Sequence, residues 1–393
     1  MVGRLCNPSK KQSFFLFGPR GVGKTTLINT LFIEGNPSWE KSTIYLNLLE
    51  PELESRLLQN PSYLKDLIKG LDGVQKVIID EVQKVPSLLD VVHDLIEKNK
   101  KLQFILSGSS ARKLKRGAAN LLAGRAFSYH LHPLTCDEYH QLGPNILDLL
   151  SYGSLPKIFD FEDAEDKKKF LKSYVHTYLK EEIQAEQIVR NMTSFRQFLE
   201  FAGQSNCEPL VFSNISRQSG VDDKSIARFY EILQDTLLGR FLEPYSKSVR
   251  ERQKSKPKFY FFDTGVQRVL SHTIDIPLIS KTYEYGNLFE QFIINEIFRK
   301  GEYSEKDYLY HYIRTKNDVE IDLILTPPGK KPFLIEIKST NKVIEDHWKS
   351  LVSLGKDIPH QEKIIICQEE RPRQTEEGVH ILPWQEALKI LFR

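Results

Sequence analysis

The stretch FFLFGPRGVGKTT, residues 14–26, joins an apolar run to a glycine-rich turn. Its second half matches the pattern G-x-x-x-x-G-K-T between a predicted strand and a predicted helix. Glycines let backbone N–H groups turn towards phosphate oxygens, while Lys24 reaches the β and γ phosphates and the Thr25 hydroxyl can ligate Mg²⁺. The pattern predicts that nucleotide phosphates bind at Gly18, Pro19, Arg20, Gly21, Val22, Gly23, Lys24, Thr25 and Thr26.

A second apolar strand, Val77–Ile79, runs directly into two acids. This order suits Asp80 to hold the magnesium shell and Glu81 to activate water, which predicts hydrolysis of the nucleotide. A guanine-reading NKxD is missing, because TKND at residues 315–318 has the wrong order, so we expect ATP rather than GTP. A strand that merely ends in two solvated acids is the alternative.

Length and composition limit the class of protein. A chain of 393 residues is too long for one hydrophobic core, so two or three domains are expected. With 40% hydrophobic residues, 27% charged residues and a net charge of +3, any surface for nucleic acid must be local. The 4 cysteines form no CxxC pair, and no apolar run is long enough to span a membrane. We expect a soluble, cytoplasmic protein without membrane contact.

Apolar runs alternate with amphipathic or turn-rich connections up to about Tyr129, which predicts a parallel sheet covered by helices. The predicted strands are Phe14–Phe17, Thr43–Leu48, Lys76–Ile79, Gln103–Leu106 and Ala126–Leu131. Helical periodicity follows from about His132. Further on, a short helix, a turn at Gly220 and a second helix opening at Asp222 or Asp223 have helix-turn-helix spacing.

A predicted β-hairpin follows, with arms Arg240–Tyr245 and Lys258–Phe262 and a strongly basic connection. A helix-turn-helix with such a hairpin has the form of a winged helix, whose wing lies along DNA phosphates. The candidate wing contacts are Arg250, Arg252, Lys254 and Lys256, with Lys224 and Arg228 as candidates on the second helix. Protein docking and a merely solvated loop are the alternatives.

Charged residues also interrupt two apolar runs, Val319–Leu325 and Phe333–Ser339, which flank the loop TPPGKKP. Side chains alternate along a strand, so Asp322 shares a face with Glu320, and Glu336 shares one with Lys338. In an antiparallel hairpin Asp322 comes roughly opposite Glu336. Two carboxylates this close repel each other, and the pair needs a cation.

This hairpin looks like the PD-(D/E)XK nuclease core. The resemblance implies that Asp322 and Glu336 hold one or two Mg²⁺ ions, or Mn²⁺, and that Lys338 orients or activates the attacking water. It also implies that Glu290, on the preceding helix Tyr283–Lys300, completes the metal shell. A fold kept for DNA docking or assembly, with its acids in ion pairs, is the alternative.

From Gly18 to about Ser339 the chain resembles the prokaryotic AAA-type ATPases whose C-terminal half is a domain of unknown function with a restriction-endonuclease-like end. The matching motifs include GPRGVGKTT, IIDEVQKVP, ILSGSS, LAGR, HPLTCDEY, YGSLP, KFYFFDTG, GNLFEQFIINEI and LIEIKS. The resemblance implies an α/β chain with an AAA+ P-loop ATPase domain (1–161), a helical and winged-helix domain (162–271) and a nuclease-like domain (272–393).

The same resemblance implies further site residues. Ser107 or Ser109, after the strand Gln103–Leu106, would sense the γ-phosphate. Arg125 would stabilise transferred charge, in cis or from a neighbouring subunit of a homo-oligomer, or else lie in a surface salt bridge. Family members usually carry a helix before the first strand, whereas few residues precede Phe14 here, so the adenine contacts are unassigned.

These features predict ATP-driven action on DNA, with metal-dependent nucleic-acid cleavage as a further expectation. One alternative is a nucleotide-switched DNA- or protein-binding scaffold whose nuclease-like domain does not cleave. A protein-remodelling ATPase is a third hypothesis.

Overall fold

The computed structural model describes residues 2–34, 39–71, 73–109, 122, 124–179, 192–245, 256–315 and 317–392. The chain divides into two compact units. The first comprises Met1–Pro133 with Asp235–Leu238, and the second comprises Leu134–Gln234 with Gly239–Arg393. The division into three domains at residues 161 and 271 stays a prediction.

The first unit alternates strands with helices, as predicted. Its strands are β1 (Phe14–Phe17), β2 (Thr43–Asn47), β3 (Lys76–Asp80), β4 (Gln103–Gly108) and β5 (Phe127–His130). Its helices are α1 (Lys24–Asn29), α2 (Trp39–Ser42), α3 (Pro51–Gln59), α4 (Tyr63–Lys69) and α5 (Leu88–Lys98). A π-helical turn, Thr30–Glu34, extends α1, and a 3-10 turn, Val82–Lys84, follows β3.

These strands form a 5-stranded sheet in the order β2-β3-β4-β1-β5. All of its neighbouring strands pair in parallel. Every side chain of β1 is buried, which a parallel sheet covered on both faces requires of an interior strand. The predicted parallel sheet of an α/β protein is confirmed.

The second unit contains more helices and a larger sheet. Its helices are α6 (Cys136–Tyr139), α7 (Ile146–Tyr152), α8 (Ala164–Ser173), α9 (Met192–Gln204), α10 (Phe212–Ser219), α11 (Asp223–Asp235), α12 (Thr264–Leu270), α13 (Tyr283–Tyr303), α14 (Lys349–Gly355) and α15 (Trp384–Leu391). Its strands are β6 (Gly239–Pro244), β7 (Lys258–Phe261), β8 (Leu309–Arg314), β9 (Glu320–Thr326), β10 (Phe333–Ile337), β11 (Lys363–Cys367), β12 (Arg373–Gln374) and β13 (Val379–Pro383).

The 8 strands form one sheet in the order β12-β13-β11-β10-β9-β8-β6-β7. Antiparallel pairing joins β9 to both β8 and β10, and parallel pairing joins β10 to β11. The hairpin of β6 and β7 is part of this sheet, because β6 pairs in parallel with β8. The predicted wing and the predicted nuclease-like strands therefore share one sheet.

The predicted helix-turn-helix consists of α10 and α11. The turn between them contains Gly220, whose φ of 69° lies in the left-handed region. On α11, Lys224 and Arg228 are exposed. Of the predicted wing contacts, Arg250, Arg252 and Lys254 lie outside the described residues, so the winged-helix prediction is not tested there.

Helix α13 packs its predicted apolar stripe inward, and Phe289, Phe292, Ile293 and Ile297 are all buried. Near its end the buried Arg299 donates to the backbone oxygens of Leu134 (3.1 Å) and Phe262 (2.6 Å). Segments far apart in sequence are thus tied to this helix. None of the described helices combines the length and apolar character needed to cross a membrane.

The YGSLP motif contains a close approach that only glycine allows. Gly153, which ends α7, has φ 77° and ψ −162°, a conformation open almost only to glycine. A Cβ there would overlap the carboxylate of Asp263. That carboxylate accepts hydrogen bonds from the backbone N–H groups of Ser154 (2.8 Å) and Val266 (3.1 Å). The glycine thus lets a buried acid reach its donors.

We predict that Gly153→Ala lowers the free energy of unfolding by about 3 kcal/mol, because backbone strain and displacement of Asp263 add. Gly143→Ala is the control. Gly143 also has a positive φ, 64°, but a Cβ added there would meet nothing within 4 Å, so the alanine should cost only about 1 kcal/mol. Urea unfolding of both variants measures the difference, and equal losses would contradict this account of the motif.

Candidate functional site

The glycine-rich turn lies between β1 and α1, as predicted. Gly21 and Gly23 have φ values of 77° and 93°, which side chains with a Cβ rarely adopt. Gly18 is required for another reason, because a Cβ there would overlap the backbone oxygen of Leu131. The three glycines therefore give the loop the shape in which backbone N–H groups can approach phosphate oxygens.

The Lys24 side chain folds back over this loop. Its Nζ donates to the backbone oxygens of Gly18 (2.8 Å) and Pro19 (3.2 Å), and the residue is buried. The ammonium is thus held where the β and γ phosphates of a nucleotide would lie.

Asp80, at the end of β3, is the centre of a polar cluster. Its carboxylate accepts from the hydroxyls of Thr25 (2.7 Å) and Tyr45 (3.2 Å), and also from the Ser107 hydroxyl. The carboxyl ends of neighbouring parallel strands meet at one edge, which brings β2, β3, β4 and the loop after β1 together. The predicted magnesium ligands Thr25 and Asp80 are therefore in contact.

Tyr45 was not among the predicted site residues. Burial and the neighbouring Asp80 raise the pKa of its hydroxyl, so it remains a donor to that carboxylate. The pairing of β2 with β3 carries the only signal for it, since Tyr45 lies opposite Ile78, two residues before Asp80.

Glu81 follows with a φ of 60°, in the left-handed region. Gln83, a second residue that the sequence did not single out, is buried and donates from Nε2 to Glu81 Oε2 (2.5 Å) and to Ser109 Oγ (3.0 Å). The two serines considered as phosphate sensors thus have different neighbours. Ser107 contacts the Asp80 carboxylate and accepts from the backbone N–H of Glu81 (3.4 Å), whereas Ser109 is linked through Gln83 to the Glu81 carboxylate.

Arg125 lies away from this cluster. It precedes β5, which runs parallel to β1 with Phe127 opposite Phe14, so it lies level with the amino ends of the strands. The phosphate loop lies at their carboxyl ends. The guanidinium of Arg125 instead pairs with Glu97 near the end of α5. Arg125 thus forms the surface salt bridge considered as the alternative, and its contact with a γ-phosphate, in cis or from a neighbouring subunit, stays a prediction.

A second polar cluster lies in the second unit, on β9 and β10. The antiparallel register pairs Ile335 with Leu323, so the next residues, Glu336 and Asp322, are neighbours, as predicted. Asp322 Oδ2 accepts from the backbone N–H of Ile337 (2.7 Å), and both acids are buried.

Lys338 lies beside this acid pair, as predicted, and its Nζ is 2.6 Å from Glu336 Oε1. The other oxygen, Oε2, is buried and has no hydrogen-bond partner. Desolvation by burial, followed by the nearby Asp322, raises the pKa of Glu336 well above its ordinary value. A buried carboxylate oxygen without a donor is costly, and a proton or a metal ion would relieve it.

Glu290 has partners of its own. Its Oε1 accepts from Lys258 Nζ (3.1 Å) and from the Tyr260 hydroxyl (2.6 Å). Lys258 also lies 2.5 Å from Glu320 Oε1. The sequence predicts Lys258 as the first residue of a hairpin arm and one of the basic residues of the wing, whereas its side chain is 4% exposed. Alternation along β7 was the available signal, since it places Lys258 on the same face as Tyr260.

The three predicted metal ligands Glu290, Asp322 and Glu336 therefore do not form one group around a common metal position. Among the described residues, no group of three or more His, Cys, Asp or Glu is arranged to hold a metal ion. The pair Asp322 and Glu336, with its unpartnered oxygen, fits a cation better than Glu290 does.

The fold and the first site are those of a P-loop domain. Comparison with family models agrees, because residues 10–140 match a family described as "AAA domain". Residues 144–275 and 285–387 match two families, each described as a domain of unknown function (DUF8612 and DUF4143).

Related proteins are found in distant organisms. An uncharacterized protein of Mycobacterium tuberculosis is 26% identical over 83% of this chain and 70% of its own length. One from Methanocaldococcus jannaschii is 23% identical over 99% of this chain and 87% of its own length.

The solved structures that match this chain have low TM-scores. The replication initiator DnaA bound to AMPPCP and single-stranded DNA has a TM-score of 0.31 at 13% identity, covering 58% of this chain and 84% of that one. Cdc6p from Pyrobaculum aerophilum has a TM-score of 0.27 at 10% identity, covering 68% of this chain and 88% of that one. At TM-scores this low the likeness carries no information about ligand or activity.

Proposed function

We propose that the chain binds and hydrolyses ATP at the phosphate loop and uses this reaction to act on DNA. The observation that carries the ATPase proposal is the contact of Thr25 with Asp80 beneath the loop that holds Lys24. A hydroxyl and a carboxylate in contact at this edge fit Mg²⁺, which would offset the charge of the phosphates when bound.

In this proposal Glu81 accepts a proton from, or orients, the attacking water. A general base works only when its carboxylate is held in position. Gln83 holds the Glu81 carboxylate by donating a hydrogen bond of 2.5 Å from Nε2 to Oε2. Gln83 is thus a positioning residue that links the base to Ser109. Arg125 of a neighbouring subunit would complete the site in a homo-oligomer.

Action on DNA is supported by the helix-turn-helix of α10 and α11. The exposed Lys224 and Arg228 lie on the second helix, one turn apart, which is where such motifs present side chains to a groove. The predicted wing adds basic residues after β6. Phosphate contacts by these side chains would supply affinity without sequence preference.

Metal-dependent cleavage of nucleic acid is a second candidate, favoured by the unpartnered Glu336 Oε2 beside Asp322. These two carboxylates would hold Mg²⁺ or Mn²⁺, which would polarise the phosphate and the water. Lys338, on the same face as Glu336, would orient the water or the phosphate. A nucleotide-switched scaffold, in which this unit does not cleave, is the alternative, and assays of metal binding and cleavage separate the two.

We predict that Glu81→Gln binds ATP with unchanged affinity and hydrolyses it about 100-fold more slowly, because it loses the base. Gln83→Ala should lower kcat by less and leave KM unchanged, since it only frees the carboxylate. Lys24→Ala is the contrasting control and should lose nucleotide affinity. Steady-state hydrolysis and binding of a fluorescent ATP analogue measure these effects. Normal turnover by Glu81→Gln would remove Glu81 from the mechanism.

We predict that replacing Lys224, Arg228, Arg250, Arg252, Lys254 and Lys256 by alanine weakens DNA binding evenly across sequences. On duplex DNA the log–log salt slope should fall by up to about 0.9 for each phosphate that the variant no longer neutralises. Replacing the exposed hairpin residues Lys330 and Lys331 is the control, because it removes charge elsewhere. If both sets change the slope alike, the helix-turn-helix and the wing are not the DNA surface.

We predict that Mg²⁺ or Mn²⁺ raises the unfolding temperature of a chain carrying Asp80→Asn, because binding to the folded state stabilises it. Adding Asp322→Ala should abolish the increase, whereas Asp318→Ala, an exposed acid near the same strand, should not. Lys338→Ala should keep the increase and lose any cleavage. Stabilisation that survives Asp322→Ala would rule out the site, and stabilisation without cleavage of any DNA or RNA would favour the scaffold.

A further inference from the structure

Lys258 places a positive charge inside the acidic cluster of the second unit. Its Nζ lies 2.5 Å from Glu320 Oε1 and 3.1 Å from Glu290 Oε1, and its side chain is 4% exposed. A buried lysine held this close to two carboxylates is an ammonium ion in an ion pair with each of them.

The position of this ammonium is fixed by the sheet. Lys258 is the first residue of β7, where it pairs with Leu242 of β6 and forms a bridge to Pro209. Its Nζ also lies 5.4 Å from the centre of the Tyr312 ring, within cation–π range. A side chain with a fixed backbone, two carboxylate partners and an aromatic neighbour cannot leave the cluster without leaving two partly buried acids uncompensated.

The carboxylates of the cluster thus fall into two groups. Glu290 and Glu320 share Lys258, and Glu320 also pairs with Arg314 at 3.5 Å. Asp322 and Glu336 are next to each other, yet the one ion pair found for them among the described residues is that of Glu336 with Lys338. The buried oxygen without a partner, Glu336 Oε2, belongs to this second group.

We infer that Lys258 occupies the place of a second cation, so that the cluster takes one divalent metal ion, held by Asp322 and Glu336, and Glu290 is not a ligand. The inference rests on the proposed metal site and specifies its composition. A divalent ion on Glu290 would lie beside the buried ammonium that already binds its Oε1, and like charges at such distances repel strongly. The ammonium on Glu336 belongs to Lys338, whose side chain is 32% exposed and can move away from a bound ion. Lys258 is therefore a positioning residue, which keeps Glu290 and Glu320 compensated and confines the metal to the second group.

The experiment counts bound Mn²⁺ per chain by electron paramagnetic resonance of the free ion, using the full chain with Asp80→Asn and no nucleotide. This background removes a ligand of the proposed nucleotide-site metal. We expect one ion per chain. The Glu290→Gln chain should bind Mn²⁺ with a Kd within about twofold of the parent value. Asp322→Asn and Glu336→Gln should each weaken Mn²⁺ binding by about tenfold or more, as the loss of a group at a metal site commonly does.

Lys258→Met removes the ammonium while keeping the length of the side chain. We expect this variant to bind a second Mn²⁺, and Glu290→Gln in the same chain to abolish that second ion. If Lys258→Met does not fold, the count in the parent chain and the Kd of Glu290→Gln still decide the matter. The Glu320→Gln variant is the matched control, because it removes the other partner of Lys258 and should leave the single ion bound.

Failure of this inference differs from failure of the proposed metal site. Two ions in the parent chain, or a Kd raised about tenfold or more by Glu290→Gln, would overturn the role of Lys258 and leave a metal site with Glu290 as a ligand. If Asp322→Asn removes no Mn²⁺ binding from the chain, the proposed metal site is overturned, and the inference falls with it.

Discussion

A carboxylate that leaves water must find donors or a cation, and both candidate sites are organised around this requirement. In the first unit Asp80 is buried and accepts from hydroxyls on three different segments, those of Thr25, Tyr45 and Ser107. These bonds hold the end of β3 against the phosphate loop. In the second unit lysines meet the requirement only in part, since Lys258 pairs with Glu290 and Lys338 with Glu336, while Glu336 Oε2 has no hydrogen-bond partner. A cation at the first site would take the place of neutral hydroxyl donors, whereas a cation at the proposed second site would lie beside fixed positive charge.

Much of the first unit could be predicted from the sequence because short, continuous stretches of sequence specify its strands and its phosphate loop. A strand buried on both faces appears as an unbroken apolar run, as FFLF does, and the phosphate loop requires glycines at set spacings. The carboxyl ends of parallel strands meet, so Asp80 and the serines at the end of β4, Ser107 and Ser109, could be placed near the loop. Gln83 and Tyr45 could not, because their roles depend on the direction of single side chains. The salt bridge of Arg125 with Glu97 could not be predicted for a related reason, since a motif gives no information on the edge of the sheet where its residue lies.

The second unit was less predictable because its sheet joins segments that are distant in sequence. The hairpin of β9 and β10 and the acid pair on it followed from alternation and a short loop. The parallel pairing of β6 with β8 follows from neither. Without that pairing, Lys258 looks like one more basic residue in a solvated hairpin. With it, the first residue of β7 lies beside Glu290 of α13 and Glu320 of β9, and its charge becomes part of the cluster.

The two lysines of the cluster differ in a way that bears on chemistry. The Lys338 side chain is 32% exposed, whereas that of Lys258 is 4% exposed. Lys338 is bound to Glu336, the carboxylate whose second oxygen lacks a donor, so a cation that engages this carboxylate competes directly with Lys338 for it. The displaced ammonium would still have solvent on one side, where a phosphate or a water could meet it. Lys258 has no such exit, because its partners are the acids that the cation does not use. One lysine is therefore placed to respond to a metal ion and its substrate, and the other to keep the surrounding acids compensated throughout.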